Sequence, residues 1–262
     1  MATKRKRLLI GLAALCVLGG AAALLVTQLL GGNGRGEALV ITEGQRASQV
    51  YEDADEVLNV PKGSTEKAVQ KAAKRGELKL PEAADGDPEG FLYPATYPVD
   101  DKTTPKSLVS RMVSTAKERF ARYGDDSYDT VKIASIVQGE ADNPEDMGKV
   151  ARVIQNRIQQ GQLLQMDSTI NYALGRSTLN TTHADTRLDS PYNTYRHKGL
   201  PPTPINNPGE EALKAAADPP KGDWLFFVTV KPGDTRFTSS YKQHMKWVDE
   251  FNKNQRGSGS GS

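Results

Sequence analysis

The sequence is poor in the residues that form covalent or metal-held frameworks. Among its 262 residues it has one cysteine, Cys16, and three histidines, His183, His197 and His244. With no second cysteine to pair, the fold must be stabilised by its core. The histidines are far apart and lack the spacing of zinc ligands, which argues against a metal-dependent amidase or peptidase. We therefore predict no bound metal and no cofactor.

The sequence also lacks an excess of one charge outside its first residues. Lys and Arg number 34, Asp and Glu 32, and the net charge is +2. Four of the basic residues are consecutive at positions 4–7, so 30 basic and 32 acidic residues remain elsewhere. Domains that bind nucleic acid usually carry a basic face. Nucleic acid is therefore not a predicted partner.

The motifs of serine acyl-transfer enzymes are absent or incomplete. No Gly-x-Ser-x-Gly sequence occurs. The Ser-x-x-Lys spacing of penicillin-binding enzymes occurs at Ser64–Lys67 and Ser114–Lys117, but both lie in charged, amphipathic stretches where the lysine would point to water. A serine acylase is thus a minor alternative.

One long apolar run begins near the N-terminus. Residues 8–26 contain no charged side chain, and apolar residues continue to Leu30. About 20 such residues span a bilayer as a helix, and basic residues preceding the span indicate a cytoplasmic N-terminus. We predict a cytoplasmic tail at 1–7, a transmembrane helix at 8–30 and a body outside the cytoplasm.

A cleaved signal peptide is the alternative for this run. The small residues at 21–23 partly fit a cleavage site, but the apolar residues at 24–26 extend beyond it. An uncleaved anchor is therefore favoured, and the predicted location is the cell membrane, with a single pass.

Beyond the apolar run, the pattern predicts an α+β fold. A Gly-rich linker at 31–38 leads to a small α/β subdomain at 39–100 and a helix-rich catalytic domain at 101–255 that contains a short antiparallel β-hairpin. The Gly/Ser repeat at 256–262 resembles an appended tail and carries no predicted function.

Hydrophobic periodicity and capping residues place the individual elements. Ser64 is the predicted cap of the second helix, and Ile158 is predicted to lie on the buried face of the helix that starts at Pro144. The segment 89–97 is predicted to be an aromatic loop that packs at a domain seam, with sugar stacking as the alternative. Strands are predicted at 39–42, 224–230 (buried) and 235–239, and helices at 47–58, 64–76, 107–123, 128–141, 144–160, 208–218 and 241–254.

Glu140 is the most informative single residue. It follows Ile136 by four positions and Val137 by three, so it shares their apolar helix face. Removal from water raises the pKa of a carboxyl, and a carboxyl protonated near neutral pH can serve as a general acid. No other acid is predicted at a comparably apolar position. The alternative is a glutamate at a helix end that either reaches solvent or forms a structural ion pair with Arg152 or Arg157.

Three polar, turn-forming segments supply groups that saccharide grooves use, namely 165–169, 190–195 and 199–204. The simpler interpretation is that Asp167 and Asn193 satisfy loop backbone groups through Asx-turns. These segments alone do not decide between the two.

An ordered series of segments resembles the YceG-like endolytic murein transglycosylases. The longest are Ile133-Ala-Ser-Ile-Val-Gln-Gly-Glu140, Lys149-Val-Ala-Arg-Val-Ile-Gln-Asn-Arg157 and Leu164-Gln-Met-Asp-Ser-Thr169. Shorter ones are Glu43-Gly44, Glu89-Gly-Phe-Leu-Tyr-Pro94, Tyr192-Asn-Thr-Tyr195, Gly199-Leu-Pro-Pro202, Asn207-Pro-Gly209, Leu213-Lys-Ala-Ala-Ala217 and Leu225-Phe-Phe-Val228.

The resemblance implies a membrane-anchored lytic transglycosylase that cleaves nascent glycan strands internally and leaves 1,6-anhydro-N-acetylmuramic acid ends. Glu140 matches the family's catalytic glutamate. Substrate-binding residues implied at the matching segments are Gln165, Asp167, Thr169, Asn193 and Tyr195. The expected partners are peptidoglycan glycan strands, the cytoplasmic membrane and peptidoglycan synthases.

One difference from the family lies before the Glu43-Gly44 segment. Members usually carry a LysM-like module there, whereas only 31–38 separate the predicted membrane helix from the body. A non-catalytic glycan-binding or scaffold protein of the cell-wall synthesis machinery is therefore the alternative function.

Overall fold

A computed structural model describes residues 37–124, 127–176 and 181–258, and those from Ala38 onward belong to one compact unit. The predicted cytoplasmic tail, the predicted membrane span and most of the Gly-rich linker lie outside these ranges. Within them, no helix is both long and apolar enough to cross a bilayer.

The described residues confirm a mixed α+β fold with eight helices and two small antiparallel sheets. In chain order the elements are β1 (Ala38–Val40), α1 (Ala47–Val57), α2 (Ser64–Lys74), β2 (Thr96–Pro98), α3 (Pro105–Phe120), α4 (Tyr128–Glu140), α5 (Pro144–Gln159), α6 (Asp167–Ala173), α7 (Glu210–Ala217), β3 (Phe226–Lys231), β4 (Asp234–Thr238) and α8 (Tyr241–Ser258). Short 3₁₀ turns occur at Glu82–Ala84, Ala121–Tyr123 and Asp185–Arg187.

The first sheet joins the start of the compact unit to the aromatic segment. Leu39 of β1 lies opposite Tyr97 of β2, and both side chains are buried. Phe91 and Leu92 are buried as well, so this segment packs into the core. The sequence did not predict β2, because a three-residue strand is formed by its partner rather than by its own alternation.

The start of α2 corrects the predicted cap. The N-cap is Gly63, with φ of 84°, and Ser64 donates its hydroxyl hydrogen to the carbonyl of Pro61 instead. The carboxylate of Asp55 on α1 accepts from the backbone N–H groups of Gly63 and Thr65 at 2.6 and 2.7 Å. The first turn of α2 is thus capped by a neighbouring helix, which a local pattern cannot reveal.

The central helix of the core is α4. Seven of its thirteen residues are buried, and it packs against α5, α6 and α7. On α5, Met147, Val150 and Ile154 are buried as predicted, but Ile158 is 38% exposed. The prediction for Ile158 is wrong because in this last turn it is Arg157, beside it, that turns into the core.

The second sheet is the predicted hairpin. Strands β3 and β4 pair antiparallel, with Phe227 opposite Phe237 and a two-residue turn in which Gly233 has φ of 77°. The prediction of a buried strand is wrong, since only Val230 of β3 is buried. The hairpin is covered in part by α5 and α8, so its other residues remain partly exposed.

Candidate active site

The site is built where α4 ends. Ser127 caps the start of α4 by accepting from the N–H of Thr130. The last helical residue is Glu140, and Ala141 after it is in the extended conformation. The carboxyl of Glu140 therefore leaves the core at the end of a helix that is otherwise mostly buried, and it is itself partly buried.

The first turn of α6 holds this carboxyl. Oε1 of Glu140 accepts from the hydroxyl of Ser168 at 2.7 Å and from the backbone N–H of Ser168 at 3.1 Å. Both donors come from one residue, so the orientation of the carboxyl depends on the position of α6.

Burial raises the pKa of Glu140 to about 7. The two hydrogen bonds from Ser168 act in the opposite direction because they favour the carboxylate, as does the charge of Arg157, whereas the charge of Asp167 raises the pKa further. A carboxyl with this pKa can both donate and accept a proton near neutral pH.

The predicted alternative of an ion pair is wrong for the described residues. Arg152 donates to the carbonyls of Pro219 and Pro220, and Arg157 donates to those of Leu164 and Leu225. In the part of the chain that the structure covers, Glu140 forms no salt bridge, so its carboxyl is available for chemistry.

Close packing at Gly139 brings α6 to the carboxyl. A Cβ atom added to Gly139 would lie 2.8 Å from Cβ of Ser168, a distance that real side chains do not tolerate. Any larger residue at position 139 would therefore push away the residue that holds Glu140.

Asp167 and Tyr195 form a second polar pair beside Glu140. The hydroxyl of Tyr195 donates to Oδ1 of Asp167 at 2.5 Å. Burial raises the pKa of Tyr195, and the hydrogen bond to Asp167 and the charges of Asp167 and Glu140 raise it further. Tyr195 therefore stays protonated and acts as a donor. Both side chains are partly exposed, so the structure brings these two predicted substrate-binding residues to the site.

Asn193 has a different role from the predicted sugar contact. Its side chain is 0% exposed, its amide donates to the carbonyls of Thr186 and Leu188, and its Oδ1 accepts from the N–H of Tyr195. This last bond is the Asx-turn that the simpler interpretation predicted. A side chain with no exposed surface cannot contact a sugar, so Asn193 positions Tyr195 instead.

Thr169 is also a structural residue rather than the predicted sugar contact. It is fully buried, and its hydroxyl donates to the carbonyl of Met166 at 2.7 Å and pairs with the hydroxyl of Thr194 at 2.9 Å. Thr194 in turn accepts from the N–H of Met166. This buried network fixes the start of α6 against the segment that carries Tyr195.

Comparison with known proteins decides the family. The sequence model of the YceG-like family matches residues 19–250. The chain belongs to the YceG-like family. The order of motifs in the sequence had indicated the same family, and the match confirms it.

Relatives of this YceG-like chain include two named endolytic murein transglycosylase. The Bacillus subtilis protein is 34% identical over 178 residues, which are 64% of this chain and 49% of the relative. The Streptococcus pneumoniae protein is 33% identical over 179 residues, 62% and 32% of the two chains. The chain thus spans about half the length of the first relative and a third of the second.

A crystal structure of a YceG-like protein from Listeria monocytogenes has a similar fold. The TM-score is 0.71 at 28% sequence identity, and the alignment covers 80% of this chain and 75% of the Listeria chain.

Gln165 lies at the edge of the YceG-like site. Its side chain is exposed, its φ of 51° is left-handed, and its N–H donates to the carbonyl of Thr194. This conformation aims an exposed amide away from the core, so Gln165 stays a predicted sugar contact.

Ser168 and Asn206 also belong to the site, although no sequence pattern singled them out. The amide of Asn206 donates to the carbonyl of Ser135 one turn before Gly139, and its Oδ1 is buried without a hydrogen-bond partner in the described residues. Both residues lie on the face of α4 that Gly139 leaves open. The signal available for Ser168 was its place in the 164–169 segment, which resembles the family. The role of Asn206 could be recognised only from the tertiary structure.

Glu89 corrects the prediction that no other acid shares the environment of Glu140. Its side chain is only 4% exposed, and burial raises its pKa to about 7. Oε1 accepts from the N–H of Ala47, and Oε2 accepts from the hydroxyl of Tyr172 at 3.2 Å. Its sequence neighbours are glycine and prolines rather than a helix stripe, which is why periodicity did not reveal it.

Proposed function

We propose that this protein is a peptidoglycan lytic transglycosylase in which Glu140 is the single catalytic acid and base. One observation carries the proposal: a partly buried carboxyl with a pKa of about 7 lies at the end of the central helix, held by Ser168 and free of any described ion pair. Relatives named endolytic murein transglycosylase support the reaction class.

The proposed reaction begins with proton transfer from Glu140. The protonated carboxyl gives its proton to the oxygen that links C1 of N-acetylmuramic acid to the next N-acetylglucosamine, and that bond breaks. The resulting carboxylate then takes the proton of the muramic C6 hydroxyl, and the oxygen of that hydroxyl bonds to C1. The products are a 1,6-anhydro end and a free hydroxyl on the leaving sugar, and Glu140 is protonated again.

The neighbouring polar pair fits this chemistry. Ordinary glycosidases use two carboxyl groups, one of which activates water or attacks C1. Here the second carboxyl near Glu140 is that of Asp167, which Tyr195 binds through its hydroxyl. We propose that Asp167 supplies negative charge beside the positive charge that develops at C1, and that the C6 hydroxyl replaces water.

We further propose that residues 8–30 anchor the protein in the cytoplasmic membrane, with 1–7 in the cytoplasm. The linker 31–38 would join this anchor to a small subdomain at 39–100 and a catalytic domain at 101–255, both outside the cytoplasm. The uncharged run and the preceding basic residues support this arrangement. Nascent glycan strands are then within reach, and peptidoglycan synthases are candidate partners.

Product analysis tests the proposed reaction. The full chain in detergent micelles is incubated with uncrosslinked glycan strands, and the new ends are identified by mass spectrometry. Wild type and the control Glu118→Gln, an exposed acid on α3, are expected to give internal cleavage with 1,6-anhydro ends. Glu140→Gln is expected to give none above background.

Two results would contradict the proposal. New reducing ends would show hydrolysis by activated water. Binding of strands without any cleavage by the wild type would show a glycan-binding scaffold instead of an enzyme.

A further inference from the structure

A groove of about 1070 Å³ lies among the N-terminal helices, and Glu140 is not among the residues that line it. It is bounded by α1, α2, the segment 76–89 and the end of α6. Pockets of about 300–1,000 Å³ hold drug-sized ligands. This groove is therefore large enough for a peptide of several residues.

The walls of the groove combine apolar and acidic groups. Apolar surface comes from Tyr51, Leu78 and Leu80. Five carboxyl side chains and only two basic side chains line it, namely Glu66, Glu82, Asp85, Asp87 and Glu89 against Arg46 and Lys74. Even with Glu89 partly protonated near neutral pH, the other four acidic side chains outnumber the two basic ones, so the groove is negatively charged overall and suits a ligand with a cationic group.

Arg46 interacts with the charge of Glu89 but forms no salt bridge with any carboxyl group of the described residues. Its guanidinium donates to the backbone carbonyls of Tyr172 and Arg176, and it lies over the ring of Tyr172 at 5.2 Å. Tyr51 lies among the carboxyl groups. Burial raises the pKa of its hydroxyl most, and the charges of Asp87, Glu89 and Glu66 raise it further. The hydroxyl of Tyr51 makes no hydrogen bond with any described residue.

The outer rim of the groove has the opposite charge. The exposed face of α2 and the residue after it carry Lys67, Lys71, Lys74 and Arg75, which surround a hollow of about 350 Å³. Lys74 and Gln70 line both this hollow and the groove. A ligand that crosses the rim would meet carboxylates at one end and ammonium groups at the other.

Helix α6 connects the groove to the catalytic carboxyl. Ser168 in its first turn binds Glu140, and Tyr172 lines the groove. These residues are four positions apart, which is about 6 Å along a helix axis. A substituent on the sugar bound at Glu140 could therefore enter the groove.

We propose that this groove binds the stem peptide of an uncrosslinked glycan strand, with a free side-chain amine near Glu66 and Asp87 and peptide carboxylates near Lys71 and Lys74. The proposal rests on the proposed function, because the peptide is carried by the muramic acid residue of that substrate. Crosslinking turns the amine into a neutral amide. The groove would then favour strands that are not yet crosslinked.

Binding of the peptide alone tests this inference. The full chain in micelles is titrated calorimetrically with N-acetyl-L-Ala-D-Glu-L-Lys-D-Ala-D-Ala, in which the lysine amine is the one free amine, and with the same peptide acetylated on the lysine amine as well. We expect acetylation to weaken binding about fivefold, the upper range for one partly exposed charge pair. In Glu66→Gln the free peptide should bind more weakly and the effect of acetylation should shrink. The control Glu56→Gln, an exposed acid outside the groove, should behave as wild type.

Equal binding of the two peptides, no binding of either, or equal behaviour of Glu66→Gln and Glu56→Gln would overturn the inference. The test does not depend on turnover, so Glu140→Gln should bind the free peptide as wild type does. If the wild type binds the peptide through its amine but yields no anhydro ends, the groove is still a peptide-binding site and the proposed reaction is rejected.

Discussion

Glu140 is partly buried and Glu89 is buried, yet the two carboxyl groups have nearly the same hydrogen bonds. Each accepts one backbone N–H and one hydroxyl, from Ser168 in the first case and from Ala47 and Tyr172 in the second. Burial raises the pKa of each to about 7. A raised pKa therefore does not by itself identify the catalytic residue in this fold.

The two carboxyl groups differ in access and in what they hold together. Glu140 ends α4 at a partly exposed position beside Asp167 and Tyr195. Glu89 is 4% exposed, and its two hydrogen bonds tie the aromatic segment to the start of α1 and to α6. A catalytic acid therefore needs both a proton at neutral pH and an open path to substrate.

The largest expected effect separates the two residues by activity. On peptide-free glycan strands, Glu140→Gln should lower the rate by about 10²–10⁴-fold, because Gln cannot deliver a proton. Glu89→Gln should lower it by less than about tenfold, since its amide can keep the contact with Ala47. Rates of anhydro-end formation measure both. Similar losses in the two variants would remove the distinction between them.

The next effect concerns the contribution of Glu89 to the pH dependence of stability. Its folded-state pKa of about 7 is above the ordinary 4.5. Between these values the folded state binds more protons than the unfolded state, so the free energy of unfolding falls as the pH rises. Glu89→Gln removes this loss. Between pH 5 and pH 8 its free energy of unfolding should therefore rise, relative to that of the wild type, by up to about 3 kcal/mol.

Urea denaturation of the wild type and Glu89→Gln at the two pH values measures this gain. Glu140 titrates in both proteins, so its contribution cancels in the difference. A gain that is the same at both pH values would contradict this prediction. It would show that the Glu89 carboxyl is protonated to the same extent in the folded and the unfolded protein.

A third, smaller effect tests whether the close approach of α6 to α4 orients Glu140. In Gly139→Ala the added Cβ would lie 2.8 Å from Ser168, and in Gly148→Ala it would lie 3.0 Å from Pro220. Gly139→Ala should lose about 1–3 kcal/mol of stability through overpacking, and Gly148→Ala, whose contact is longer, should lose less. Only Gly139→Ala should also lower kcat, because it displaces the residue that orients Glu140. Equal kcat in the two variants would show that this close approach does not matter for the reaction.

Local patterns were sufficient for seven of the eight described helices and for Glu140. They missed the short helix α6, because its start was interpreted as a polar, turn-forming segment. The apolar stripe of Glu140 lies within one helix, so the spacing from Ile136 and Val137 was enough to predict its removal from water. Both ends of α5 are likewise set by neighbouring residues, since Asn143 caps its start and Gly161, with a positive φ, follows its end.

Features that depend on distant contacts were not predictable from the sequence. The burial of Glu89 comes from Ala47 and Tyr172, 42 and 83 positions away. The strand β2 exists because β1 lies beside it. Asn193 belongs to a motif of the site, but its polar atoms face the backbone, so the motif could not distinguish a sugar contact from a positioning residue.

The pH dependence of kcat/KM tests most directly the claim that Glu140 acts as a protonated acid in the free enzyme. We predict that kcat/KM of the wild type falls on the alkaline side with a pKa of about 7. In Ser168→Ala this limb should move to higher pH, because the lost hydroxyl hydrogen bond favoured the carboxylate. An alkaline limb near the ordinary 4.5 of a glutamate, or one that does not move in Ser168→Ala, would contradict the account.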